Sequence, residues 1–130
     1  MNAIALETPL AKLGAAGILF TLTLLSGLWV SNSGKPYNSF IFGIHKIIAV
    51  VTVVLLGIEV VNLFKTIDTR TFSMITAVGA AALLMLALIV SGSLLSLDIT
   101  LSGISLKVHQ VAPLLALVAS AASLYLLARA

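Results

Sequence analysis

The chain has 130 residues, of which 61% are hydrophobic and only 8% charged, and its mean hydropathy is +1.24. A soluble domain carries about 25% charged residues, so the composition excludes one and points to an integral membrane protein. With no cysteine, disulfides, thiolate ligands, iron–sulfur ligation and haem attachment through Cys-x-x-Cys-His are excluded as well, and the net charge of +3 matters through its distribution rather than its sum.

Four apolar stretches are each long enough to cross a bilayer core, which needs about 20 helical residues: Lys12 to Ser31, Phe40 to Phe64, Phe72 to Leu97 and Leu106 to Ala128. They predict an all-α, up-down-up-down four-helix membrane bundle, a single transmembrane domain over residues 1–130. The first stretch is read as a helix and not as a cleaved signal peptide. Glu7 accompanies Lys12 ahead of it, and Val30-Ser31-Asn32-Ser33 is a weak cleavage site.

The connection Asn32 to Ser39 is rich in breakers, and Ser39 is expected to cap the second helix. Lys65 to Thr71 and Asp98 to Gly103 form the other two connections, all short, as antiparallel neighbours require. Lys12, Lys65, Arg70 and Arg129 fall on the side of the termini and Lys35 and Lys107 on the other, with Lys46 blurring the count. By the positive-inside rule both termini are expected in the cytoplasm.

The third segment, with Ala77, Gly79, Ala80, Ala81 and Ala82, could form a close helix contact within or between chains, so an oligomer is one open expectation. Lipid is the other expected surroundings; nucleic acid is not an expected partner.

Ser26-Gly27 in the first segment stands eighteen residues, counted from the glycine, before His45 in the second. Ser91-Gly92 in the third stands seventeen before His109 in the fourth. The chain therefore reads as two hairpins in parallel repeat, each with a small pair late in its first helix and a histidine early in its second.

His45 and His109 are the only histidines, and at about 1.5 Å rise per residue both fall on the order of 5 to 8 Å inside the non-cytoplasmic end. On diagonal helices of a bundle, roughly 11 to 14 Å apart, two inward imidazoles span the room for one metal between them. Zinc wants three or four protein ligands and finds none beside them. Haem brings four nitrogens of its own and leaves two axial positions.

Gly27 and Gly92 are expected to give a flat macrocycle room, and Lys35, Lys46 and Lys107 to meet its propionates. The imidazole Nδ1 atoms are expected to donate to the carbonyls one turn back, at Ile41 and Ser105. Pro113 removes the N–H that would bond the His109 carbonyl.

His45-Lys46-Ile47-Ile48-Ala49, together with His109 entering the fourth segment, resembles the four-helix b-type cytochromes of bacterial membranes, the cytochrome b561-like group. The resemblance covers the helical plan and is specific at the His-Lys pair and at His109. It implies bis-histidine ligation of haem b by diagonal helices and electron exchange with quinone or quinol or another redox carrier. It also implies a bacterial or archaeal plasma membrane, and quinone- or superoxide-linked oxidoreductase activity is compatible with it. Larger members hold a second haem. This chain has no histidine in its first segment and has Ser120 and Ser123 where a deeper ligand would stand, so one haem is expected.

Glu59 is the one acidic residue well inside a segment, about 21 Å of helix rise beyond His45. It is read either as a proton acceptor or quinone-headgroup ligand beside Asn62, or as an interfacial carboxylate that snorkels and pairs with Lys65, the simpler option. The rival function is a small proton-coupled four-helix transporter that depends on Glu59.

Overall fold

A computed structural model describes residues 9–97 and 103–129, without the side chains of Pro9, Leu10, Lys12 and Leu13. Glu7, the Lys12 side chain and residues 98–102 of the third connection lie outside the described residues. Four helices account for nearly everything described: α1 (Pro9–Asn32), α2 (Ser39–Lys65), α3 (Phe72–Ser96) and α4 (Ile104–Ala128). The all-α class and the four spans are as expected, with every boundary within three residues of the sequence reading. All four helices are long and apolar enough to cross a membrane, so the chain is an integral membrane protein by length and composition.

The chain divides after Glu59 into two compact units, the first with α1 and most of α2, the second with the end of α2, α3 and α4. In the first, α1 ends where Ser33 N–H donates to Trp29 O at 3.0 Å and Gly34 turns left-handed at φ 75°, a conformation a glycine adopts without the Cβ clash other residues meet. The cap of α2 is Asn38 and not Ser39: its Oδ1 accepts from Phe40 N at 2.9 Å and Ile41 N at 3.3 Å. Both residue types cap well, and the asparagine lies one position nearer the turn. In the second unit, Thr71 caps α3 through Met74 N, and Gly103, at φ 74°, precedes α4. Pro113 lies inside α4 and offers no N–H to the His109 carbonyl.

Burial follows a narrow seam in each unit. In the first it comprises Ala16, Phe20, Ser26 and Val30 of α1 with Thr52 and Leu56 of α2. In the second, α3 packs on α4, and the buried set on α4 is Ser105, Ala112, Ala116, Ser120, Ser123 and Leu127. Small residues at near-helical spacing let backbones approach, as membrane helix pairs require. Every helix turns large apolar side chains outward, among them Leu22, Ile47, Leu83 and Leu114. A water-soluble monomer does not leave so much apolar surface exposed, and lipid is the solvent that suits it.

Candidate functional site

Each unit builds the same corner from a serine, a glycine and a histidine. In the first, Ser26 is buried on α1 and His45 is half-buried on α2, with Ser26 Oγ 2.9 Å from His45 Nδ1. In the second, Ser91 is buried on α3 and His109 half-buried on α4, with Ser91 Oγ again 2.9 Å from Nδ1. The predicted repeat is thus a repeat of side-chain geometry, not merely of spacing.

Bonding capacity fixes the tautomer. A serine hydroxyl carries one proton, and here it donates to the carbonyl three residues back, Thr23 O at 3.0 Å for Ser26 and Leu88 O at 3.2 Å for Ser91. The hydroxyl oxygen then accepts from Nδ1–H, which makes two bonds where the reverse arrangement makes one. Nδ1 carries the proton, and the ring's lone pair belongs to Nε2.

This corrects the expected partners of Nδ1. The hydroxyls of Ser26 and Ser91 on the neighbouring helix hold it, in place of the carbonyls of Ile41 and Ser105. A side chain that crosses to the adjacent helix meets that helix's groups before it can fold back onto its own turn.

The glycines make room for the imidazole itself. A Cβ on Gly27 would stand 3.1 Å from His45 Cε1, and one on Gly92 would stand 3.1 Å from His109 Cε1. At that distance the ring must shift by a few tenths of an ångström, whereas Gly14, Gly17, Gly43, Gly57 and Gly79 have nothing within 4 Å of an added Cβ. The space expected for a flat ligand is filled, at these two points, by the edge of the histidine.

Below the corners the two units differ. In the first, Thr23 Oγ1 and Thr52 Oγ1 are 2.8 Å apart, with Leu19 O within 2.8 Å of the Thr23 hydroxyl and Ile48 O within 2.7 Å of the Thr52 hydroxyl, so one hydroxyl donates to the other and the second to a carbonyl. The repeat places Leu88 and Ala116 at those positions in the second unit. The hydroxyl pair was not singled out from sequence, although threonines at positions 23 and 52, three before the serine and seven after the histidine, carry that signal.

The lysines expected near the cofactor are exposed. Lys35 Nζ lies 5.7 Å from the Tyr37 ring centroid and Lys46 Nζ lies 4.5 Å from that of Phe42. Lys107 stands two residues before His109, also exposed.

Glu59 is half-buried while Asn62 is exposed. Ala81 of the small-residue run is buried, whereas Ala77 and Ala80 line an open apolar groove of about 590 Å³ with Leu115, Val118 and Ala119 of α4.

Among the described residues no three His, Cys, Asp or Glu side chains gather as a metal-ligand group. Each unit contributes one imidazole, and neither by itself offers the three protein ligands that a catalytic zinc takes. Fold and corners together define the class: a four-span membrane protein of two helical hairpins, each presenting a serine-oriented, glycine-backed histidine. No family model, curated protein or solved structure matches the chain.

Proposed function

We propose that the chain is a membrane electron-transfer cytochrome in which His45 and His109 would hold one haem b. The observation that carries the reading is the duplicated corner, in which the same serine–Nδ1 bond orients each imidazole. A metal-bound histidine commonly donates its other ring N–H to such a partner, which fixes the ring and raises ligand basicity. A haem b held by His45 and His109 would supply one-electron iron chemistry.

The chain's own part is positioning. Ser26 and Ser91 hold the rings in one tautomer, Gly27 and Gly92 set how closely each ring lies to the neighbouring helix, and the apolar segments keep water away. Lys35, Lys46 and Lys107 are the proposed propionate partners. Quinone or quinol, or another redox carrier, is the proposed exchange partner, with both termini cytoplasmic in a bacterial or archaeal plasma membrane by the lysine and arginine distribution.

Haem titrated into the detergent-purified chain is expected to saturate at one per chain, and His45→Ala or His109→Ala to abolish saturable binding. A parent that binds none, or variants that bind as well as the parent, would overturn the reading. The second reading, proton-coupled transport through Glu59, is favoured by one observation, a half-buried acidic residue within a span. It predicts proton-linked flux lost in Glu59→Gln and unaffected by either histidine variant.

A further inference from the structure

In the second unit, α3 and α4 frame a recess of about 240 Å³ near the start of α4, lined by Ala87, Val90, Ser91 and Leu94 of α3 and by Ser105 and Val108 of α4. Both serines are buried, and their hydroxyls are differently engaged. Ser91 donates its one proton to Leu88 O and accepts from His109 Nδ1.

Other hydroxyls of this unit donate to the carbonyl four residues back on their own helix, as Ser93 does to Ile89 and Ser123 to Ala119. Ser105 is the second residue of α4, so the carbonyls three and four residues back precede the helix. Among the described residues its hydroxyl makes no hydrogen bond, although only 6% of the residue is exposed. No fully enclosed side-chain oxygen among the described residues lacks a partner, so the Ser105 oxygen opens onto the recess that it lines. Gly103 gives the first turn of α4 no side-chain cap, at the end where helix N–H groups have no intrahelical acceptor. Donors, not acceptors, are what this end of α4 offers.

We propose that the recess between α3 and α4 is a binding site for a compact, uncharged, lipid-soluble molecule with one carbonyl oxygen. That oxygen accepts from the Ser105 hydroxyl, and the apolar body fills the space along Ala87, Val90, Leu94 and Val108. Water suits the recess poorly, because a buried water needs two to four polar partners and the side chains beyond the two serines are apolar. The room bounds the occupant from above. Sites for drug-sized ligands run from about 300 to 1,000 Å³, so this one admits a single ring or a short branched chain. The proposal is independent of the haem reading, since it uses only the α3–α4 unit and the Ser105 hydroxyl.

The test is methyl NMR of the full chain in detergent, with Val90, Leu94 and Val108 as reporters. The chain is titrated with cyclohexanone and with methylenecyclohexane, which has the same skeleton and no acceptor oxygen. Saturable shifts at those methyls are expected in the parent. Ser105→Ala should weaken cyclohexanone binding about three- to tenfold, the worth of one hydrogen bond, and leave methylenecyclohexane binding unchanged, a comparison in which detergent partitioning cancels. Ala87→Leu, which fills part of the recess, should weaken both. Thermal melts of the parent and of Ser105→Ala should coincide, because the substitution removes no hydrogen bond within the chain. Shifts that never saturate would overturn the site in favour of diffuse partitioning. Equal effects of Ser105→Ala on the two probes, or a lowered melting temperature in that variant, would overturn the role given to its hydroxyl.

Discussion

The serine hydroxyls decide what each histidine can do. With Ser26 and Ser91 donating to the carbonyls three residues back and accepting from Nδ1–H, the rings are held as one tautomer before any ligand arrives. In Ser26→Ala or Ser91→Ala the Nδ1–H loses its hydroxyl partner, a loss of about 1 to 3 kcal/mol for a group away from water. ¹⁵N imidazole NMR of the haem-free protein should show the Nδ1–H form in the parent and a tautomer mixture at the altered site; an unchanged pattern in both variants would contradict the assignment. The glycines are tested at the same scale. An added Cβ at Gly27 or Gly92 stands 3.1 Å from a ring carbon, so alanine there should cost about 1 to 3 kcal/mol of overpacking. Gly57, with nothing within 4 Å, should accept alanine without loss. Thermal melts in detergent would compare them, and equal effects at positions 27 and 57 would contradict the close ring contact.

At the scale of the helix, hydropathy made the four spans legible to within three residues at each end, because in a membrane chain length and apolarity nearly determine the element. The histidine–glycine pairing was legible through the repeat of spacing. The partner of Nδ1 was not: periodicity gives the face a side chain leaves from, while the atom it meets depends on how closely the next helix approaches. That approach is set by Gly27 and Gly92 themselves. The cap at Asn38 in place of Ser39 is a smaller case, two adjacent capping residues separated only by which one the turn presents. The Thr23–Thr52 pair distinguishes the two hairpins, since Leu88 and Ala116 fill the same repeat positions without hydroxyls. Thr52→Val keeps the shape and leaves the Thr23 hydroxyl on Leu19 O, so it should cost under about 1 kcal/mol, in line with the modest worth of interhelical hydrogen bonds in membranes. A drop of several kcal/mol in the same melts would mean that the pair holds the first hairpin together.

For the whole molecule, the two units present one imidazole each, in the same tautomer and the same local geometry, and the proposed function has both holding one haem. The account therefore requires the histidines to behave alike, neither sufficing without the other. The most direct measurement is the absorption spectrum of the detergent-purified, haem-supplemented protein, before and after dithionite, with His45→Ala and His109→Ala beside it. The account predicts sharp low-spin bands in the parent and their loss, or conversion to a high-spin spectrum, in both variants. A parent that stays colourless, or low-spin bands that survive either substitution, would contradict it.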